Sequence, residues 1–313
     1  MDFRYLPQKI LGPMLFLILP RSFRSCLVAL LLITGLFSAC EPSKKADQTD
    51  KLSLPNAAIP YDLANPTERY NLPKDLREVS GLSYYKPGRL AMVQDELAVV
   101  FIYDLKSKTV VDEHIFGGKG DYEGVEFVDG ELYMLRSDGE LYHFEPTDNN
   151  GIKTLGGGGA EIHHIKIDLP GKNDIEGLGY DPKLNALLLA TKDPATGNPD
   201  KPIYFYDLKR ATLWRGPVLT QATLADMAGD KPVEEVKPSG IAVHPETGDY
   251  YVLASKGHRL VVMNRNGKTL SSVALDPNLL RQPEGICFAP DGALFIASEG
   301  DGKKGYLLEY KMN

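Results

Sequence analysis

The sequence predicts an all-β fold: a β-propeller of five four-stranded blades, its ring closed by an N-terminal strand. Three observations predict it. A short phrase recurs five times, a set of strands repeats behind each copy, and the last copy is one strand short.

From about residue 75 the chain reads as short apolar strands separated by Gly, Pro, Asp and Asn turns, with almost no helical periodicity. The recurring phrase is Val79-Ser80-Gly81-Leu82, Tyr122-Glu123-Gly124-Val125, Ile175-Glu176-Gly177-Leu178, Pro238-Ser239-Gly240-Ile241 and Pro283-Glu284-Gly285-Ile286. Each copy runs apolar or Pro, Glu or Ser, Gly, then an aliphatic residue opening a strand. The Glu/Ser positions are 43, 53, 63 and 45 residues apart. A recurrence of about 40–50 residues is the mark of propeller blades.

The elements follow in order. A second strand is expected at Leu90–Gln94, Leu132–Arg136, Leu187–Thr191, Tyr250–Ala254 and Leu294–Ala297, and a third at Val100–Leu105, Leu141–Phe144, Ile203–Leu208, Leu260–Asn264 and Tyr306–Tyr310. Outer strands fall near Val110–Phe116, Glu161–Ile167, Thr212–Leu219 and Thr269–Leu275. Four antiparallel strands per unit make a blade. Only 29 residues follow Glu284, enough for three strands. An unpaired edge would invite aggregation, and Glu68–Leu72 is placed to supply the missing strand. The long third interval reads as a small helical insertion at Thr220–Asp230, and a divergent sixth blade is the alternative.

Upstream of the propeller, taken as residues 67–313, the chain changes character. Arg21 and Arg24 precede an apolar run from Cys26 to Phe37, ending in Phe37-Ser38-Ala39-Cys40. A basic start, a short apolar stretch and small residues before a cleavage point make residues 1–39 a secretory signal. Pro13, Pro20, Arg21 and Arg24 interrupt the apolar segment and argue against a permanent span of about 20 residues. Ser38, Ala39 and Cys40 match a lipobox, with Phe37 where Leu is usual. Cys40 is the expected lipidation site; the polar residues 41–50 that follow suit a solvated tether, and residues 40–66 are taken as flexible. Two or more acyl chains anchor a protein stably. The expected location is therefore a bacterial envelope, lipid-anchored to an inner or outer membrane, with the propeller on the periplasmic or extracellular side.

Of 35 basic and 42 acidic residues, the first 39 positions hold four and one, so the processed chain carries a net charge of −10. That balance disfavours nucleic acid as a partner, since phosphate backbones need basic patches. With Cys26 and Cys40 assigned to the leader, Cys287 is alone, which leaves no internal disulfide and an inert core thiol.

The strings Glu78-Val79-Ser80-Gly81-Leu82-Ser83-Tyr84, Val93-Gln94-Asp95-Glu96, Gly120-Asp121-Tyr122-Glu123-Gly124-Val125, Leu135-Arg136-Ser137-Asp138-Gly139 and Asp174-Ile175-Glu176-Gly177-Leu178 resemble the SdiA-regulated (YjiK/CarP-like) bacterial β-propeller family. The resemblance covers about residues 70–313. It implies an envelope-associated propeller, linked to calcium-dependent behaviour and distantly likened to propeller phytases. It implies no particular reaction.

If the recurring step holds the same place in every blade, Ser80, Glu123, Glu176, Ser239 and Glu284 form a ring around the channel. Three carboxylates there must share protons or hold a cation. Oxygen ligands of this kind suit Ca²⁺, with Asp121 and Asp174 as further ligands or supports. The alternative is that these side chains cap backbone groups of the neighbouring blade. A second set stands at the ends of the second strands: Asp95, Glu96, Arg136, Asp138, Lys192, Asp193, Lys256 and Glu299, with Glu78 ahead of the first step. It forms either a polar floor for a ligand, with Arg136, Lys192 and Lys256 gripping an anion, or an interblade ion-pair belt.

Weaker features carry less. His163 and His164 alternate on one strand, point to opposite faces and cannot hold one metal together. Gly156–Gly159 does not lead from a strand into a helix and reads as a hairpin tip. Trp214 is expected to pack a blade. No Gly-x-Ser-x-Gly elbow or zinc-type Cys/His spacing occurs. Two functions compete. One is a membrane-anchored module binding an envelope ligand or protein; the other is a calcium-dependent hydrolase of phosphoesters or lactones. The fold alone decides neither.

Overall fold

Hydrogen bonding gathers the alternating strands into five antiparallel sheets set around one axis. The computed structural model describes residues 57–147, 154–155, 161–229, 231–300 and 302–313. The expected signal segment, Cys40 and the Gly156–Gly159 tip lie outside the described residues.

Blade 1 comprises Val79–Lys86, Arg89–Gln94, Val99–Asp104 and Thr109–Ile115. Blade 2 comprises Tyr122–Val128, Glu131–Arg136, Glu140–Phe144 and His163–Lys166. Blade 3 runs Asp174–Asp181, Ala186–Asp193, Lys201–Asp207 and Thr212–Leu219. Blade 4 runs Lys237–Val243, Tyr250–Lys256, Arg259–Met263 and Thr269–Ala274. Blade 5 has three strands of its own, Gln282–Phe288, Leu294–Glu299 and Tyr306–Tyr310. Its fourth is Glu68–Asn71, antiparallel to the last strand with Glu68 opposite Glu309 and Asn71 opposite Tyr306. The ring closes on that pair. Five blades stand, not six.

The long third interval is filled by a helix, Gln221–Ala228. Thr220 caps its start, its side chain accepting the Thr223 amide, which satisfies one of the free donors of the first turn. Leu224 and Met227 are buried beneath it. In blade 1 the outer strand gains a short parallel partner, Thr154–Leu155, from the connection inside blade 2.

The core is five-fold. Five apolar clusters each fill one interface between neighbouring blades, from Leu82, Met92 and Phe295 between blades 5 and 1 round to Leu253, Leu260 and Ile296 between blades 4 and 5. Strand residues alternate faces, so each blade feeds the clusters on both its sides. Cys287 is a buried free thiol in the cluster between blades 5 and 1, where burial pushes its pKa up.

Two expectations are corrected. The tether expected to reach residue 66 is already packed from Ala57, whose amide donates to the Leu270 carbonyl. Tyr61 lies in the cluster between blades 4 and 5, its hydroxyl donating to the Gly292 carbonyl at 2.7 Å and meeting His244 Nε2 at 2.9 Å. Ile59, Tyr61 and Leu63 alternate onto this cluster, and the apolar surface they bury holds the segment down. Trp214 stands on the outer strand of blade 3 opposite Phe205, edge-to-face at 5.3 Å, and stays 37% exposed, because that strand has no blade outside it. No helix among the described residues is long and apolar enough to cross a membrane.

Candidate functional site

Each recurring step is a β-bulge. The register between first and second strands shifts between Val79 and Gly81, Tyr122 and Gly124, Ile175 and Gly177, Pro238 and Gly240, and Pro283 and Gly285. The residue left unpaired is in turn Ser80, Glu123, Glu176, Ser239 and Glu284. A bulge kinks its strand and re-aims a side chain. All five residues line one narrow cavity on the axis, of about 10 Å³, room for about a single water-sized group.

The glycine of each step has a separate cause. A Cβ on Gly81 would stand 2.8 Å from the Gly124 Cα, one on Gly124 2.5 Å from the Leu178 Cβ, and one on Gly177 3.1 Å from the Gly240 carbonyl carbon. One on Gly240 would meet the Glu284 oxygen at 2.6 Å, and one on Gly285 the Leu82 Cβ at 2.7 Å. Those contacts run from blade 1 through blade 5 and back to blade 1. The inner strands approach so closely that only hydrogen fits between them.

The bulge residues behave differently by type. The serines cap backbone: Ser80 Oγ donates to the Tyr122 carbonyl at 2.6 Å, and Ser239 Oγ to the Pro283 carbonyl at 2.7 Å. Both tie a blade to the next one, just ahead of its own bulge. The glutamates carry charge into the cavity. Burial first, then Glu176 and Asp121, pushes Glu123 up to about 10. Burial, Glu176 and Glu299 push Glu284 up to about 8. Burial raises Glu176 to about 7 even though Lys192 is in direct contact with it. Around Lys192 the sign is reversed: burial disfavours its charge, but Glu176, Asp174 and Glu123 together hold its pKa above the ordinary range. Asp174 is raised by burial, against the pull of Lys192. Asp121 accepts the Ser137 hydroxyl at 2.6 Å.

The ends of the second strands stand at the same mouth, since Gln94, Arg136, Asp193, Lys256 and Glu299 lie opposite the residues that lead into the bulges. The mouth is divided by charge. Over blades 5, 1 and 2 lie Glu78, Asp95, Glu96, Asp121 and Glu299. Burial, Asp95 and Glu78 push Glu299 up to about 7. Burial, Glu78 and Glu96 raise Asp95, whose Oδ1 is buried without a hydrogen-bond partner. Glu78 pairs with Arg77 at 2.7 Å, and Glu96 with Lys119 at 3.8 Å.

Over blades 3 and 4 the charges are paired. Asp193 meets Lys237 at 2.7 Å and Lys201 at 3.6 Å; Glu235 meets Lys201 at 2.9 Å and Lys256 at 3.4 Å. Lys201 is 1% exposed, and the sequence offered no sign of it beyond a charge at the start of an apolar strand. Arg136 sits further out, forked onto Asp138 at 2.6 and 2.9 Å and touching Glu140 at 2.6 Å. Each of the three expected anion-gripping cations therefore has a carboxylate of this chain as partner. His163 and His164 point to opposite faces: His163 stacks on His143, while His164 meets Tyr142 and Glu140. Among the described residues no three His, Cys, Asp or Glu side chains stand ready-placed around one metal position.

The profile of a family described as SdiA-regulated matches residues 67–301. No curated protein matches the sequence. Among solved structures, the glutaminyl cyclase of Myxococcus xanthus superposes with a TM-score of 0.53 at 15% identity, covering 80% of this chain and 96% of that one. The PQQ-bound aldose sugar dehydrogenase of Streptomyces coelicolor gives 0.49 at 13%, covering 80% and 98%. At such identity the likeness speaks to the propeller fold alone.

Proposed function

The chain belongs to the SdiA-regulated family, and from that premise we propose that it is an envelope lipoprotein, anchored through Cys40, whose propeller binds a partner under the control of a cation held at the axial mouth. The observation that supports this reading is an excess of negative charge. Asp95, Glu123, Asp174, Glu176, Glu284 and Glu299 are all held above the ordinary carboxyl range by burial and by one another. Lys192 is the cation that enters their midst. Buried like charges of this kind relax by protonation or by taking up a counter-ion. The oxygen-only donor set fits Ca²⁺, which accepts carboxylates, hydroxyls and carbonyls in irregular geometry.

The hydrolase reading needs free cations to hold the substrate anion. Arg136, Lys192 and Lys256 are engaged elsewhere, so the binding reading is the better supported.

Two measurements test it. The purified protein is analysed for bound metal and melted with and without chelator. An ion that binds only the folded state at about 100 times its Kd adds about 2.7 kcal/mol. Glu123→Gln removes that gain; an equal gain in Glu123→Gln places the ion elsewhere. For the anchor, Cys40→Ser moves the protein from the membrane fraction to the soluble one and abolishes acylation measured by mass spectrometry. Unchanged fractionation refutes the anchor.

A further inference from the structure

A second concave site lies between blades 2 and 3, at the end of the propeller opposite the glutamate mouth. Each first strand runs from its bulge to a hairpin tip, and the tips at Asp129 and Asn185 frame a solvent-open cleft of about 170 Å³. That volume is below the range of about 300–1,000 Å³ typical of drug-sized sites, so the occupant is a single small unit. Val128, Tyr133 and Leu208 supply its apolar lining, Tyr133 from a nearly buried position, and Lys209 stands beside them.

Two polar groups in this wall are fixed from behind. The Tyr133 hydroxyl donates to Glu131 Oε2 at 2.7 Å, and His143 Nδ1 donates to the same oxygen at 3.0 Å. Oε1 is left as an acceptor. Burial alone raises the Glu131 pKa, but those two bonds outweigh it and hold the group below its ordinary value, so it is a carboxylate at neutral pH. The Tyr180 hydroxyl donates to Asn185 Oδ1 at 2.9 Å, which leaves the amide N–H groups as donors. Asn185 takes a left-handed backbone, φ 49°, a conformation Asn tolerates. The Tyr133 ring stacks on His143 at 5.0 Å with planes 8° apart, and His143 on His163 at 4.9 Å. These contacts set the wall before anything enters, and a rigid wall lowers the entropy lost on binding.

We propose that this cleft binds a neutral polyhydroxylated ligand of monosaccharide size, either a free sugar or the terminal unit of a glycan. The lining sets acceptors, Glu131 and Asp129, beside donors, Lys209 and Asn185, so neither an anion nor an ammonium is complemented by the whole of it. A pair of neighbouring hydroxyls, each both donor and acceptor, satisfies the carboxylate and the amide at once, while the sugar's C–H face lies on Leu208. The inference goes beyond the proposed function and does not use the axial mouth.

Saturation-transfer NMR on the detergent-solubilised full chain tests it, with D-glucose, D-galactose, N-acetyl-D-glucosamine and the β-1,4-linked trimer of the last as probes. Transfer to at least one sugar at millimolar concentration is expected, and stronger transfer to the trimer than to its monomer marks a glycan end. Asn185→Gly keeps the left-handed backbone and Glu131→Gln keeps the shape; each weakens binding at least tenfold with the melting transition retained. Lys192→Met, at the opposite end, leaves it unchanged. No transfer to any of the four, or transfer that survives both cleft substitutions, overturns the proposal.

Discussion

Lys192 reaches from the second strand of blade 3 to Glu176 and also acts on Glu123 and Asp174. A divalent ion entering the ring competes with that ammonium for the same oxygens. Lys192→Met should therefore tighten Ca²⁺ binding by about tenfold, the equivalent of about 1.4 kcal/mol, as read by isothermal titration, with Lys192→Arg remaining weak. Equal affinity in all three proteins would show that the ion does not enter the ring. Gly124 makes a different demand. A Cβ there would stand 2.5 Å from the Leu178 Cβ, so Gly124→Ala must part blades 2 and 3, at about 1–3 kcal/mol in denaturant melts. The Glu/Ser-Gly step was plain in the sequence, but the reason for its glycine was not. That reason is a contact between inner strands more than 40 residues apart, and no local pattern records such a distance. Lys201 was hidden for the same reason, since its partners Asp193 and Glu235 come from neighbouring parts of the mouth.

Strands and helix were largely legible, because the strands are short apolar runs, buried on both faces, and each turn between them carries its own Gly, Asn or Asp. The Thr212–Leu219 strand and the closing strand at Glu68 stand where expected, and the helical insertion is two residues narrower at its C-terminal end. The outer strand of blade 2 is shorter than expected, His163–Lys166, with Ile167 buried just beyond it. Misreading began where the polar residues 41–50 were extended into a tether: the stretch around Tyr61 is apolar, and Ile59, Tyr61 and Leu63 alternate and pack. Leu253, fully buried on the second strand of blade 4, tests the interface clusters. Leu253→Ala should cost about 2–5 kcal/mol in chemical denaturation. A loss below 1 kcal/mol would mean that the blades carry less of the stability than their packing suggests.

Across the whole molecule, the axial carboxyls set a pH dependence of definite sign. Their folded pKa values lie above those of the unfolded chain, so the folded state binds more protons at intermediate pH. The stability they add is complete below about pH 4.5 and is lost as pH rises through 7, 8 and 10. Asp138, Asp181, Asp193 and Glu235 are lowered, and their contribution fails instead in acid. The metal-free protein should be most stable at about pH 4.5 and, above it, lose about 1.4 kcal/mol per pH unit for each axial carboxyl still protonated. Saturating Ca²⁺ should flatten the alkaline side. A flat metal-free profile from pH 6 to 9 would remove the basis for a cation at the mouth.

The pairing of Glu68 with Glu309 also governs when the fold can form. One of the earliest strands made waits for the last one, so four finished blades exist for a time as an open arc with two bare flanks. Contacts spanning nearly the whole domain slow folding. Nascent chains stalled before Tyr306 should thus be protease-sensitive throughout blade 5 and become resistant in one step, once the final strand is free to dock.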